Sequence, residues 1–398
     1  MHDNTSATPF ETKVVLSLAG IFCFRMLGLF MLLPVLAADT QQILGITPTL
    51  LGIALGIYGL TQAIFQIPLA MWSDRIGRRK IILGGLLLFI IGSVVAALSQ
   101  HIWGLILGRA LQGAGAIGST VIALVADLTR PQHRTKAMAI IGMSIGLSFG
   151  LAIILAPFLN AWMGLSGIFW FTALLGTLGL LIMQFLIPSA QPVRPTQEVQ
   201  SLLTLFKSLF THTELLRLDL GIFILHAILT ASFLMIPRLL SQIQGLSDHQ
   251  LGWFYGIVIL VAFILVMPCI RLAEKHHFKR YFLAAIFALA LSLILLSQFH
   301  HQLWQIGLLL SLFFIAFTFL EAALPSLVSK IAPPDQKGSA IGIYSTAQFL
   351  GIFVGGSLGG WMMAHYHATG LYIFTILLTI IWLILAFFMR SHHSTEIS

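Results

Sequence analysis

The chain has 398 residues, of which 58% are hydrophobic and only 9% are charged. Soluble domains carry about 25% charged residues, so this composition excludes an ordinary soluble enzyme. It indicates a chain that is largely embedded in a lipid bilayer. The formal net charge of +8 does not indicate a nucleic-acid partner, because the basic residues are scattered over short loops between apolar runs.

The first thirteen residues contain Asp3 and Glu11 and show no small-residue cleavage site, so we expect no removable signal peptide. A spanning helix needs about 20 mostly apolar residues. Such runs predict an all-α integral membrane protein with twelve spans, at 14–38, 49–71, 81–99, 102–126, 137–159, 168–188, 218–240, 249–271, 280–298, 303–328, 338–361 and 368–389. A polar stretch predicts a linker at 189–217, between six-helix bundles at 1–188 and 218–398.

Basic residues follow a strict alternation along the chain. Eighteen of the 21 lie at the termini, in the linker or in every second loop: Lys13, Arg75, Arg78, Arg79, Lys80, Arg130, Arg134, Lys136, Arg194, Lys207, Arg217, Arg271, Lys275, Lys279, Arg280, Lys330, Lys337 and Arg390. The opposite loops contain none. Because basic loops stay on the cytoplasmic side, the alternation predicts that both termini and the linker are cytoplasmic, and it supports the count of twelve spans.

The two halves repeat each other. The loop that begins at Pro68 contains Asp74 and then a basic cluster, and the loop that begins at Pro268 contains Glu274 and then another. Two parallel six-helix repeats are related by a pseudo-two-fold axis and place a substrate site near the membrane midplane between them.

Two arginines lie inside predicted spans of the first half, where a charge is costly. Arg25 in the first span has three interpretations: it binds an anionic substrate group, pairs with a neighbouring carboxyl, or extends to the interface. Arg109 in the fourth span is either functional or a structural residue satisfied by backbone carbonyls and Gln112. We take Arg25 and Gln112 as candidates for the substrate cavity.

The loop Asp74-Arg75-Ile76-Gly77-Arg78-Arg79-Lys80 follows the second span. A carboxylate at a helix end can contact the positive N-terminus of another helix and pair with nearby arginines, and Gly77 permits a tight turn. A plain positive-inside loop is the alternative, and it explains the basic residues but neither Asp74 nor Gly77.

Glu321 is the one carboxylate of thirteen that lies well inside a span. Burial disfavours a charged carboxyl, so such a group can exchange a proton near neutral pH. His226 in the seventh span also titrates in this range. The alternative is that the two side chains only satisfy one another or backbone groups.

These motifs resemble the major facilitator superfamily, specifically its twelve-helix drug:proton antiporter branch, over nearly the whole chain. The loop at 74–80 is similar to the family signature G-x-x-x-D-R-x-G-R-R, with Ala70 in place of the glycine. Glycines at 142, 146 and 150 resemble the antiporter signature of the fifth span, but Ala156 replaces its distal glycine and Asn160-Ala161 its terminal pair.

The resemblance implies roles for the candidate residues. Glu321, aided by His226, would carry the proton, and Arg109 would take part in coupling. Asp74 would contact the start of the eleventh span near Gly338 to Gly342 as a conformational latch. The other latch candidates are Arg75, Gly77, Arg78, Arg79, Asp127 and Arg134.

The sequence therefore predicts a proton-driven secondary transporter of the major facilitator fold, which exports a small amphipathic or hydrophobic compound by alternating access. We expect a monomer in a bacterial inner membrane, with protons and a small molecule as partners and no cofactor. The alternatives are an importer of a small metabolite or organic anion, a non-transporting membrane sensor and a membrane-embedded transferase. The sequence has no Walker loop and no H-E-x-x-H motif, and its histidine pairs at 300–301 and 365–367 lack the companion ligands of a metal site.

Overall fold

The computed structural model describes residues 8–38, 43–188, 212–275, 278–333 and 336–389. Within these ranges the chain is helical and forms no β-strand beyond one isolated bridge between Leu44 and His101. Most of the predicted linker, at 189–211, lies outside the described residues. The seventh helix begins inside the range predicted for the linker, at Thr213.

In the described chain, eight helical segments have the length of a single crossing and are apolar enough to span a bilayer. They are α1 (Pro9–Phe30, continued by Leu33–Leu36), α2 (Pro48–Ile76), α3 (Arg78–Leu98), α4 (Ile102–Ala114 and Gly118–Leu128), α7 (Thr213–Ser232, Ile236–Arg238 and the π-turn Leu239–Ile243), α8 (Asp248–Lys275), α9 (Phe278–Gln298) and α10 (Leu303–Ile331).

Two further segments, Arg134–Phe185 and Lys337–Phe387, have 52 and 51 residues. At about 1.5 Å per residue each would be about 77 Å long, more than twice the hydrocarbon thickness of about 30 Å. Each is interrupted in its middle, at Gly164 with φ 68° and at His367 with φ 55°. The first comprises α5 (134–163) and α6 (165–185), and the second α11 (337–366) and α12 (368–387). The prediction of twelve spans in an all-helical membrane fold is thereby confirmed.

α1 and α7, the first helices of the two repeats, lie at the centre of the molecule. Both are buried over most of their length, whereas α8 exposes most of its apolar surface, as a lipid-facing helix does. The broken ends of α1 and α7 touch each other, Leu33–Leu36 against Ile236–Arg238. We call this the far end, and the end that carries the loops at 74–80, 130–136 and 330–337 the basic end.

α2 and α11 pack backbone against backbone near the far end. A Cβ atom at Gly356 would lie 2.4 Å from the carbonyl oxygen of Gly52, and one at Gly360 would lie 2.5 Å from that of Pro48. Glycine is needed here because any side chain would force the helices apart. Toward the basic end the two backbones lie further apart. A Cβ atom at Gly342 would meet nothing within 4 Å, and the Gln66 side chain of α2 spans the distance, donating to the Gly342 carbonyl oxygen at 3.4 Å.

α5 and α8 repeat this arrangement on the other side of the molecule. Near the far end the Phe158 ring covers Gly252, and Asn160 Nδ2 donates to Asp248 Oδ2 at 2.7 Å. Gly150 still faces the Phe263 ring, at 3.3 Å from its Cβ position, but Gly146 one turn further has no neighbour within 4 Å. The two bundles therefore meet at the far end and separate at the basic end.

We expect Gly356→Ala to weaken the far-end contact, because the added methyl group overlaps the Gly52 carbonyl and the overlap can be relieved only by moving backbone. Spin labels at positions 162 and 301, which are both exposed at the far end, should report longer distances between the bundles. Gly84→Ala is the matched control, because its methyl group would meet nothing within 4 Å. Identical distance distributions in the two variants would contradict this account of the interface.

Candidate functional site

Glu321, His226 and Gln348 form a polar cluster between α10, α7 and α11. The Gln348 side-chain Nε2 donates to Glu321 Oε1 at 3.2 Å and also lies 2.9 Å from His226 Nε2. Glu321 Oε2 is 3.8 Å from His226 Nε2 and has no hydrogen-bond partner among the described residues. The structure thus brings together the two residues that the sequence singled out in this half, through a glutamine that it did not.

The hydrogen bonds of the cluster determine which nitrogen of His226 carries the hydrogen and which group donates to it. His226 Nδ1 lies 3.3 Å from the carbonyl oxygen of Ile222, which can only accept, so Nδ1 carries the hydrogen. In a neutral imidazole Nε2 then accepts from Gln348, whose two amide hydrogens serve Nε2 and Glu321 Oε1 together. His226 is buried, whereas the side chain of Glu321 is 28% exposed, although its Oε2 atom is itself buried.

Two more polar side chains extend this cluster and were not identified from the sequence. Tyr344 is buried on α11, four residues before Gln348 and therefore on the same side of that helix. Its hydroxyl has no hydrogen-bond partner in the described chain. Asp219 stands seven residues before His226, which places both on one side of α7. The spacing of Asp219 and His226 was the available signal.

Arg109 belongs to the other bundle and contacts neither Glu321 nor His226. Its Nη1 donates to Gln112 Oε1 at 2.8 Å and lies 3.5 Å from the Gly28 carbonyl oxygen, and Gln112 in turn donates to Ser93 Oγ at 2.8 Å. Arg109 and Gln112 are both buried, so Gln112 lies within the N-terminal bundle in this conformation and not on an open cavity wall.

Arg25 is also buried, with 2% of its surface exposed, which excludes an extended conformation that reaches the interface. Its Nη2 donates to Gln62 Oε1, and its guanidinium lies 5.8 Å from the ring centre of Tyr58. No carboxylate of the described chain pairs with it.

The predicted latch loop contains a three-membered ion cluster at the basic end. Arg78 pairs with Asp74 at 2.8 Å and with Asp127, and it also donates to Ser73 Oγ at 3.1 Å. Gly77 adopts φ 98°, a conformation that favours glycine, so the helix reverses here as expected. Arg75 is exposed.

The other latch candidates make different contacts. Arg79 donates to the Gln184 carbonyl oxygen at 2.6 Å, and Arg134 Nε to that of Thr129 at 3.3 Å. Asp74 is bonded within its own loop and half exposed, and no contact joins it to Gly338 or Gly342 in this conformation. The role of a latch therefore stays a prediction about the opposite conformation.

A second ion pair at the basic end was missed. Glu11 accepts from the Arg130 backbone N–H at 2.9 Å and from its Nε and Nη2 at 3.0 and 2.9 Å, while the Glu11 carboxylate also caps α1 through Thr8. The pairing raises the pKa of Arg130. The Thr8-x-x-Glu11 capping box before an apolar run was the available signal.

Residues 146–150 spell G-x-S-x-G, the pattern of a hydrolase nucleophile elbow. Here it lies in the middle of α5, and Ser148 Oγ donates to the carbonyl oxygens of Ser144 and Cys23 at 2.6 and 3.2 Å. A serine held by two carbonyl groups inside a membrane helix is a packing residue.

We expect Arg78→Gln and Asp74→Asn to shift the conformational equilibrium in opposite directions. Loss of Arg78 frees Asp74 to contact the positive N-terminus of α11, which favours closure of the basic end, whereas Asp74→Asn removes that attraction and favours the open state. Spin labels at positions 132 and 330 measure the basic-end distance, and the exposed Arg75→Gln is the control. Shifts of the same sign, or none, would reduce the loop to a topological anchor.

Two six-helix bundles that meet at one end and separate at the other, around buried polar groups, are the architecture of a membrane transporter. A family model described as Major Facilitator Superfamily matches residues 18–237 and 218–398. The chain is 43% identical over 384 residues to the inner membrane transport protein YajR of Escherichia coli (strain K12), across 96% of this chain and 84% of that protein.

The chain is also 28% identical over 349 residues to the multidrug resistance protein MdtH of Proteus mirabilis (strain HI4320), across 84% of this chain and 83% of that protein. A solved structure of a bacterial homolog to the human lysosomal transporter Spinster, in an inward-facing and occupied conformation, matches with a TM-score of 0.75 at 16% identity, over 98% of this chain and all of that one. The chain belongs to the Major Facilitator Superfamily, and it is a multi-pass membrane transporter.

Proposed function

We propose that this protein is a proton-coupled secondary active transporter that exports a small amphipathic or hydrophobic compound by alternating access. The observation that carries the proposal is the Glu321–Gln348–His226 cluster, because it combines a carboxyl, an imidazole and an adaptable amide at the gap between the bundles. The likeness to a relative named as a multidrug resistance protein supports export.

Proton exchange occurs at Glu321 Oε2, the carboxyl oxygen that has no hydrogen-bond partner. When Glu321 is ionised, the Gln348 amide stabilises its charge, and the gap toward the basic end admits water. When Glu321 is protonated, the site is neutral and can be enclosed at a smaller desolvation cost. Proton uptake at the far end and release at the basic end then make the return of the empty carrier depend on the proton gradient.

Arg109 acts on this cycle from the other bundle. Its contact with Gly28 ties α4 to α1, and α1 meets α7 at the far end. We infer that Arg109 adjusts coupling by holding α1 in place and does not itself exchange a proton. An importer of an organic anion is the second candidate, since Arg25 has no carboxylate partner in the described chain.

We expect Glu321→Gln to abolish transport driven by a pH gradient, because the amide keeps the shape of the side chain but cannot titrate. Substrate affinity should stay within about tenfold of the wild type, or about 1.4 kcal/mol. The measurement is flux into proteoliposomes with an imposed pH gradient, with a compound identified by a thermal-shift screen.

Glu214→Gln is the matched control, because Glu214 pairs with Arg217 at the start of α7, at 2.6 Å and away from the cluster. It should retain full gradient-driven flux. If Glu321→Gln also transports against a gradient at the wild-type rate, Glu321 is structural and the proton must bind elsewhere, with Asp219 the next candidate.

The orientation that we propose places the basic end, both termini and the linker in the cytoplasm of a bacterial cell, with the protein acting as a monomer in the inner membrane. It rests on the alternation of Lys and Arg. In a variant with Cys23 and Cys269 replaced by alanine, we expect a cysteine at position 301 to react with an impermeant maleimide added to intact cells, and one at position 132 to be protected. The reverse labelling pattern would refute the orientation.

A further inference from the structure

Two guanidinium groups lie inside the N-terminal bundle with no carboxylate to balance them. Arg25 on α1 and Arg109 on α4 are 2% and 1% exposed and lie 5.8 and 4.9 Å from the ring centre of Tyr58 on α2. No ion pair joins either arginine to an acidic side chain among the described residues. The interior of this bundle therefore holds two positive charges side by side.

The neighbours of these arginines solvate the charges without neutralising them. Arg25 donates to Gln62, and Arg109 donates to Gln112. The Tyr58 ring offers each cation a quadrupole contact, which is worth about 2 kcal/mol when desolvated. The effective desolvation penalty of a buried ion is several kcal/mol, and two like charges add repulsion. The arrangement lacks an anion.

The unused hydrogen-bonding groups of the cluster are mainly donors. Arg25 Nε and Nη1, Arg109 Nε, Gln62 Nε2 and the Tyr58 hydroxyl all lack a partner in the described chain. Guanidinium groups cannot accept a hydrogen bond, and their fork matches a carboxylate. The atoms without partners therefore indicate the kind of ligand that the cluster would bind, which is a group with several acceptor oxygens and a negative charge.

A break in the neighbouring helix α4 borders the cluster. α4 is interrupted between Ala114 and Gly118, beside the cluster. A Cβ atom at Gly118 would lie 3.6 Å from the Phe22 ring and 3.7 Å from the orphan Gln62 Nε2, with no closer atom. Broken helices tolerate local movement better than continuous ones because their backbone groups already lack helical partners.

A row of buried aromatic rings begins on α1, five residues after Arg25. The Phe30 ring contacts Phe149 of α5 at 5.2 Å, and Phe149 contacts Phe317 of α10 at 5.5 Å. These rings link the two bundles and end near His226, whose ring lies 5.8 Å from that of Phe317. A molecule with an anionic head at Arg25 and an apolar body that displaces these ring contacts would touch both halves of the protein.

We propose that the buried arginine pair binds the carboxylate of a small amphipathic organic anion, and that this anion is the transported substrate. The inference rests on the proposed transport function and names its substrate class. A resident inorganic anion, such as chloride or phosphate, shares the same recognition chemistry, so the experiment must separate these two sources.

The test measures thermal unfolding of the full-length protein in detergent, without any proton gradient, so that failure of proton coupling cannot affect it. Sodium benzoate is the probe and its neutral isostere benzamide is the control ligand. Sodium tetrafluoroborate, whose anion is a poor hydrogen-bond acceptor, holds the ionic strength constant. We expect benzoate to raise the unfolding temperature in a saturable way, because a ligand stabilises the state that it binds, and benzamide to have no effect.

The variants assign the effect to the site. Arg25→Gln should weaken benzoate binding at least tenfold, and Arg25→Lys should recover part of the lost affinity. Arg238→Gln changes an exposed side chain at the far end, so this variant should bind benzoate as the wild type does. Tyr58→Phe keeps the ring and removes one orphan donor, so it should weaken benzoate even if Arg25→Gln does not fold.

Equal shifts with benzoate and benzamide, or an Arg25→Gln variant with unchanged benzoate affinity, would overturn the proposal. A saturable, Arg25-dependent shift with chloride or phosphate but not with benzoate would also overturn it, by identifying an inorganic anion as the occupant.

Discussion

A bilayer offers no water to a buried charge, and the placement of every charged side chain in this protein follows from that cost. Most basic residues are confined to the loops of one end. The charged side chains of Arg25, Arg109 and Glu321 lie inside the bundles instead, and each is bonded to a glutamine: Arg25 to Gln62, Arg109 to Gln112 and Glu321 to Gln348. An amide both donates and accepts, so it solvates a charge without removing it.

The surfaces on which the bundles meet have the opposite character. Gly52, Gly356 and Gly360 bring α2 and α11 together through backbone atoms. Such contacts depend on close approach and rely little on ion pairs or deep interdigitation. Toward the basic end a side chain takes over from the backbone contacts, since Gln66 donates to Thr346 at 2.6 Å and to the Gly342 carbonyl oxygen at 3.4 Å.

The two bundles carry different chemistry although they repeat one fold. The N-terminal bundle encloses two cations and a tyrosine, whereas the C-terminal bundle encloses a carboxyl, an imidazole and a second tyrosine. The Phe30–Phe149–Phe317 contacts are the apolar connection between them. Movement of one bundle relative to the other therefore changes the distance between the cationic and acidic sites, which is the geometric requirement for linking their occupancy.

The sequence by itself determined that the chain lies in a membrane, how many spans it has, that its two halves repeat, and that Glu321 is an unusual carboxylate inside a span. These features depend on the length of apolar runs and on the cost of a buried charge, which are properties of local stretches of chain. Gly77 was predictable for the same reason, since its turn is local. Gln348 was not, because it comes to Glu321 from another helix, and nothing along α11 marks one polar residue as the partner of a distant carboxyl. The breaks at Gly164 and His367, the pairing of Glu11 with Arg130, and the absence of contact between Asp74 and α11 were likewise decided in three dimensions. They depend on how twelve helices pack and on which end of the interface between the bundles is closed. Both are set by contacts between residues hundreds of positions apart in the sequence.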